Sequence, residues 1–252
     1  MAAPIPLGRD PSQTDRAVLG IRDMVLRGDF AAGDRLTELG LVEILGVSRT
    51  PIRAALQRLA QEGLLVASPS SGYLVRGFSE AEVFDAIELR GAIEGLAARM
   101  AAERGASPAM LRDMRECLAR IDELLSGAAP GDEHLARYSA LNSRFHELML
   151  AASGSTTVAQ AMQRVAATPF AAPNAFVQVQ SRLPGSLKIL GIAQAQHHEI
   201  VDAIEERSSA RVEPLVREHA RNARRNLELV LRHSDALGHL VGAPLIRRGG
   251  GA

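Results

Sequence analysis

The stretch that most limits what this chain can fold into is Gly46-Val47-Ser48-Arg49-Thr50-Pro51-Ile52-Arg53-Ala54-Ala55-Leu56. Just before it, Leu41, Val42, Ile44 and Leu45 give a short helix an apolar side. Gly46 can end that helix, because glycine accepts the left-handed conformation at a helix terminus. Ser48 then stands where an N-cap stands, its hydroxyl able to accept from unpaired N–H groups of the next helix. Pro51 falls in that helix's first turn, where its missing N–H costs nothing. Val47, Ile52, Leu56 and Leu59 point toward a core, while Arg49, Thr50, Arg53 and Gln57 lie on the opposite side. Any capped helix would show the cap and the periodicity, but not arginines and a threonine crowded at its start. That end of a recognition helix is the part that meets base edges and phosphates, so the segment predicts a helix-turn-helix that docks on DNA.

The flanking sequence extends this reading. Leu64-Leu65-Val66 and Tyr73-Leu74-Val75 are short apolar runs separated by the turn chemistry of Ala67-Ser68-Pro69-Ser70-Ser71-Gly72, which predicts a small hairpin, the wing of a winged helix. Upstream, Val18, Ile21, Met24, Val25 and Leu26 form a helical stripe. Turns at Gly28-Asp29 and Ala32-Gly33-Asp34 close it. The order helix, turn, helix, recognition helix, hairpin occupies about 65 residues, a small domain that is marginal alone.

Together, Gly33-Asp34-Arg35-Leu36, Leu45 through Leu56, Leu59-Ala60-Gln61-Glu62-Gly63-Leu64 and Ser71-Gly72-Tyr73 closely resemble the N-terminal domain of GntR-type bacterial transcription regulators. The resemblance covers roughly the first third of the chain. It implies that Ser48, Arg49, Thr50 and Arg53 contact an operator and that Gly72 approaches the minor groove. Ile52 stands where that family usually has valine, and Ala54 where it usually has glutamate; neither disturbs the docking.

Composition narrows the remaining possibilities. With 252 residues, 46% of them hydrophobic, the chain can fill two modest domains. No apolar run approaches a membrane span, and Met1-Ala2-Ala3-Pro4-Ile5-Pro6 has no signal-peptide pattern, so a cytoplasmic bacterial protein without a membrane partner is expected. A single cysteine, Cys117, excludes an internal disulfide. Formal net charge is zero, and residues 1–78 hold nine arginines against eight acids. Such a balance suits a site-specific binder with few phosphate contacts better than a nonspecific coat.

Beyond Phe78 the pattern turns helical nearly to the end. Ser79-Glu80-Ala81-Glu82 reads as a helix start, and Ser107-Pro108 as another. Further helices are expected over about 132–152, 156–167, 187–207 and 209–235. The fold class is thus mainly α, an N-terminal winged helix-turn-helix followed by an all-helical bundle. The expected organisation is a flexible N-terminus over 1–12, the DNA-binding domain over 13–78, a helical effector-binding domain over 79–236 and a flexible tail over 237–252.

The chemistry of the helical part lies in its histidines. Asn142 and His146 are four apart and stack on one helix face. His197 lies on the next-to-last helix and His219 on the last. Three imidazoles and an oxygen donor from separate helices can hold a metal inside a bundle; isolated helical histidines are more often surface or core residues. Arg90 is also open to two readings. It can pair with Glu94 on a solvated face, or grip a carboxylate bidentately. Arg144, two residues from both Asn142 and His146, should point elsewhere.

Asn142-Ser143-Arg144-Phe145-His146, Gln196-His197-His198-Glu199-Ile200-Val201-Asp202-Ala203-Ile204 and Val216-Arg217-Glu218-His219 resemble three signature segments of the FCD ligand-binding domain in the FadR-like branch of GntR regulators. Glu88 through Glu94 and Ala97 through Ala101 resemble its first helix. The resemblance implies that Asn142, His146, His197 and His219 hold a divalent metal beside an effector pocket. His198 falls off the register and sits beside the site or on the surface. Asn142 replaces an aspartate found in many members, which weakens metal binding. Zinc or nickel suits imidazole ligands better than manganese or magnesium. A metal-free pocket whose histidines take a carboxylate directly is the other reading.

Effector binding is accordingly placed at Arg90, His146, His197 and His219. Arg137 through Asn142, Thr168-Pro169-Phe170-Ala171-Ala172 and Gly242-Ala243-Pro244-Leu245 resemble vanillate-responsive repressors of this branch, in which Pro169, Phe170 and Phe176 could face an aromatic ring. His198-Glu199-Ile200-Val201-Asp202 imitates half of a zinc-protease helix, but Asp202 stands where the second histidine is required. Neither that motif nor a phosphate loop, a nucleophile elbow or a CxxC is complete, so no enzyme is expected. The sequence therefore predicts a sequence-specific regulator, more often a repressor in this branch. It would act as a homodimer on a pseudo-palindromic double-stranded operator and respond to a small organic acid. A metal-responsive regulator is the alternative, and a zinc hydrolase a remote one.

Overall fold

The computed structural model describes residues 12–68, 72–126, 132–166, 168, 170–174, 186–232 and 240–247. They fall into two compact units, one made of Met1–Glu80 with Gly242–Ala252 and the other of Ala81–Val241.

In the first unit, α1 (Gln13–Arg27) starts at Ser12, whose hydroxyl accepts from the Asp15 N–H, and ends at Gly28 with φ +89°. Its buried stripe of Val18, Ile21 and Val25 packs against α3 (Arg49–Gln61), which contributes Ile52, Ala55, Leu56 and Leu59. Between them lies α2 (Glu38–Leu45), capped by Thr37 and closed by Gly46 at φ +63°, the left-handed conformation that glycine was expected to supply. Leu41 is the buried residue of α2. Leu45 lies over α1 at Gly20, where even a Cβ would approach it to 2.9 Å. Ile44 departs from expectation and is 58% exposed. The two-turn helix is covered along one narrow edge, and Ile44 lies outside it.

The expected hairpin is present as β2 (Leu65–Ala67) and β3 (Tyr73–Val75), antiparallel with Val66 opposite Leu74. A strand that the sequence did not announce, β1 (Arg35–Leu36), pairs with the other side of β3. Burial of Leu36 ties that edge into the core. Residues 69–71 of the wing turn lie outside the described residues.

The C-terminal segment also differs from the flexible tail expected over 237–252. Ala243–Leu245 form a 3-10 turn, and β5 (Ile246–Arg247) pairs in parallel with β4 (Phe78–Ser79). Gly242 donates its N–H to the Leu26 carbonyl at 2.8 Å, and Leu245 is fully buried. Gly28 has no room for a side chain here, since a Cβ would stand 2.8 Å from Pro244 Cγ. The segment is therefore part of the first unit's packing. Residues 233–239 and 248–252 lie outside the described residues.

Every described element of the second unit is a helix: α4 (Glu80–Arg104), α5 (Pro108–Leu125), α6 (Asp132–Ala152), α7 (Thr156–Ala166), α8 (Ser186–Glu205) and α9 (Ser209–Arg232). Ser107 caps α5 by accepting from the Met110 N–H, with Pro108 in the first turn. Ser79, expected as the cap of α4, stands immediately before that helix as the last residue of β4. A single core joins five of these helices through residues such as Ala101, Leu118, Phe145, Ile200 and Val216. Gly91 and Gly95 let α4 lie close to α9: a Cβ on Gly91 would come within 2.7 Å of Ala220 Cβ. No described helix is long and apolar enough to cross a membrane.

Candidate functional site

The recognition helix presents its polar side to solvent, with Ser48, Arg49, Thr50, Arg53 and Gln57 all exposed. Ser48 is the N-cap of α3 in extended backbone, but its hydroxyl makes no capping bond, contrary to the sequence reading. That leaves the hydroxyl free of the helix end it was expected to satisfy. Arg53 is engaged rather than free: its guanidinium donates to both oxygens of Glu38 on α2, at 2.8 and 3.0 Å. The bidentate pair holds the arginine's fork beside the helix start, although water and salt screen an exposed pair of this kind. Gly72 closes the wing at φ +83°, and a Cβ there would meet the Leu36 carbonyl at 3.0 Å. This glycine is required by the sheet itself, apart from any contact with DNA.

In the helical unit, α6, α8 and α9 bring His146, His197 and His219 together. All three are buried, and one ligand nitrogen from each lies within 4.8 Å of the others. His198 stays out of the cluster, contacting Asp122 at 3.0 Å, and Arg144 pairs with Glu147 on the surface. Phe145 packs behind His197 with ring centroids 4.4 Å apart, giving the cluster an apolar backing.

The hydrogen bonds fix which nitrogen of each ring is protonated. Gln194 donates through Nε2 to the Leu118 carbonyl and to Asp122, so its Oε1 can only accept, and His197 Nδ1 lies 3.1 Å from it. Gln196 Oε1 accepts from Asn222 at 2.6 Å and lies 3.0 Å from His219 Nδ1. Both rings therefore carry their proton on Nδ1 and leave Nε2 as a bare acceptor. Those two Nε2 atoms face each other at 3.1 Å. Burial drives the affinity of both rings for a second proton down, His197 well below the usual histidine range and His219 to about 3. Two lone pairs thus oppose each other where no proton relieves them. Imidazole nitrogens sharing one tetrahedral zinc stand about 3.3 Å apart, given bonds of about 2.0–2.1 Å. The donor set suits a divalent cation.

Asn142 sits one turn from His146 and is buried. Its Nδ2 donates to Asn174 Oδ1 at 2.7 Å, which leaves its carbonyl oxygen as the atom to offer a cation. Asn174 is itself held by the Ser139 carbonyl. Beside the histidines opens a small cavity, lined among others by Arg90, Tyr138, Asn142, His146, His219 and Asn226. Ile189, Leu190 and Ala193 give it an apolar wall. Phe170 is buried but does not line this cavity, whereas Pro173 does; Pro169 and Phe176 lie outside the described residues.

Arg90 resolves in an unexpected direction. It does face Glu94, at 3.5 Å, yet both side chains are buried rather than solvated. Its Nη1 donates to the Ala171 carbonyl at 3.3 Å. Glu94 in turn lies 2.8 Å from His146 Nδ1, too obliquely for a well-formed hydrogen bond, and neither of its oxygens has another hydrogen-bond partner. Burial pushes the Glu94 carboxyl up, but His146 and Arg90 outweigh it and hold it at about 2. Sequence reasoning missed Glu94 as part of this site, along with Gln194, Gln196, Asn222 and Asn226. The last two were within reach, since they stand three and seven residues after His219 and so continue its face of α9.

Comparison with known proteins gives a consistent result. The model described as bacterial regulatory proteins, gntR family, matches residues 13–75, and that of the FCD domain matches residues 85–222. The chain is 32% identical over 229 residues to an uncharacterized HTH-type transcriptional regulator in an unstable DNA locus of Streptomyces ambofaciens, covering 87% of this chain and 86% of that one. It is 25% identical to the HTH-type transcriptional repressor GlaR of Escherichia coli, over 79% of this chain and 88% of that one. Among solved structures, E. coli McbR/YncC shares its fold with a TM-score of 0.62 at 17% identity, over 88% and 99% of the two chains.

Proposed function

The chain belongs to the GntR family of bacterial regulatory proteins and carries an FCD domain, and from that premise we propose that a small organic acid, bound beside a divalent metal in the helical domain, sets its affinity for an operator. The protein is a DNA-binding transcription regulator, not an enzyme. Its recognition helix would enter the major groove with Ser48, Arg49, Thr50 and Arg53 at the contact, and the wing would bring Gly72 to the minor groove. Two copies, in the bacterial cytoplasm, would place two such helices about one DNA turn apart on a pseudo-palindrome.

One observation carries the effector half of this reading: two buried, neutral imidazoles point lone pairs at each other beside a cavity rimmed by Arg90. His146, His197, His219 and the Asn142 carbonyl would hold the metal, with zinc or nickel favoured by the imidazole donors. The cation would supply Lewis-acid attraction for a carboxylate at the cavity's inner end. Arg90 adds positive potential there, and Tyr138 and Asn226 offer polar groups to the rest of the ligand. The apolar wall of Ile189, Leu190 and Ala193 would face the ring of an aromatic acid such as vanillate.

A ligand shifts operator affinity only by preferring one of two states of the protein, and such couplings are typically about 1–3 kcal/mol. A thermal-shift screen of aromatic, sugar and hydroxy acids, each with and without chelator, tests the proposal. An acid that raises the melting temperature in metal-loaded but not in stripped protein is the expected result. If no acid stabilises either form, the effector reading fails. A metal-responsive regulator is the second reading, favoured by how completely the three histidines are enclosed. It predicts that operator release follows zinc concentration with no acid present.

A further inference from the structure

We propose that Glu94 is a positioning residue of the histidine centre, orienting His146 and placing there the negative charge that Asn142 does not provide. This rests on the metal reading above. The Glu94 side chain is fully enclosed on α4. A carboxylate buried for packing alone would normally gather donors to offset its desolvation. Glu94 has instead one arginine nitrogen at 3.5 Å and one imidazole nitrogen at 2.8 Å, and no other hydrogen-bond partner.

Its neighbours on the other rings make the contrast. His197 and His219 each face the neutral amide oxygen of a glutamine. His146 faces an anion. Histidines that ligate a metal give their outer N–H to a carboxylate, a carbonyl or water, and this partner sets the tautomer, the ring's aim and the basicity of the ligating nitrogen. With Nδ1 turned to Glu94, Nε2 is the His146 nitrogen left to serve as a ligand. The backbone is shaped for this placement. A Cβ on Gly95, next to Glu94, would lie 3.1 Å from the Glu213 carbonyl, and one on Gly91 would collide with Ala220, the residue after His219. Two bare positions one turn apart let α4 approach α9, and the approach delivers Glu94 to the rings. Without Glu94, Arg90 and the bound cation would face each other with nothing anionic between them.

The test uses zinc alone, titrated into full-length protein against a chromophoric chelator, with cobalt absorption as a spectroscopic check. Glu94→Gln should weaken zinc binding by about 100-fold, the upper end of losses for partners of metal-bound histidines, and alter the cobalt bands. Because that change strands Arg90, the double variant Arg90→Met/Glu94→Gln is the decisive one. Removing both buried charges together is often neutral or stabilising, so without metal it should melt no lower than the parent. It should nonetheless bind zinc about 10-fold more weakly, through the lost orientation of His146. A purely structural ion pair predicts parental zinc affinity and unchanged cobalt bands in the double variant, and that result overturns the proposal. If the parent protein itself takes up neither zinc nor cobalt, the metal reading fails at its root.

Discussion

The two functional regions of this protein are built on opposite plans. At the start of α3 the recognition residues are close neighbours in sequence, exposed, and held by one local exchange between Arg53 and Glu38. In the helical unit, the site draws its residues from four separate helices, α4, α6, α8 and α9, and its three histidines are buried. The first plan leaves charge in water until a partner arrives. The second confines charge and lone pairs inside the protein, so every atom needs a specific neighbour before any ligand is present. Substitutions should therefore be forgiving for folding and severe for binding on α3, and costly to both in the cluster.

The largest effect should come from the cluster. His197→Ala removes the ring at its centre and should lower zinc affinity by more than about 100-fold, beyond what an outer partner contributes. Operator binding in gel shifts should be unaffected; a parallel loss of both would erase the separation between the regions. Acid should sharpen the contrast next. Both His197 and His219 have folded proton affinities depressed below the usual 6.5. In stripped protein their contribution is complete above pH 6.5 and falls away as pH drops toward 3. Glu94, depressed from 4.5 to about 2, adds a second loss below pH 4.5. The melting temperature should be flat above pH 6.5 and decline below it. A rise on acidification would mean that the rings are charged in the fold.

Arg49→Ala should weaken specific operator binding by about 10- to 100-fold, the worth of one arginine read against a base pair, with the melting temperature and zinc binding unmoved. The smallest effect belongs to Glu38→Gln, which releases Arg53 from an exposed, solvent-screened pair. Its stability should barely change, and its operator affinity should rise several-fold at low salt and converge with the parent at high salt. Unchanged affinity at every salt concentration would show that Arg53 is already available to DNA.

The contrast also explains what could be read from sequence. The recognition helix, its glycine stop, the serine cap at Ser107, and the hairpin depend on neighbours within a few positions. Periodicity and capping rules report such neighbours directly. The three histidines were also legible, because each sits in a recognisable segment. What stayed hidden was set by distant packing. An Arg90–Glu94 pair reads the same whether solvated or enclosed, and only the close approach of α4 to α9 decides between them. β1 is two residues within turn chemistry and exists because β3 offers it an edge. Leu245 sits in a glycine-, proline- and arginine-rich segment whose burial depends on α1, more than two hundred residues earlier.

That last arrangement has a bearing on how the protein is made. The head that reads DNA is translated first, yet a buried leucine and a strand partner for Phe78–Ser79 arrive only with residues 242–247. On the ribosome the head must wait, incompletely packed, until the whole helical unit has been synthesised. A chain interrupted anywhere before that point would lack both the strand that pairs with Phe78–Ser79 and the buried Leu245.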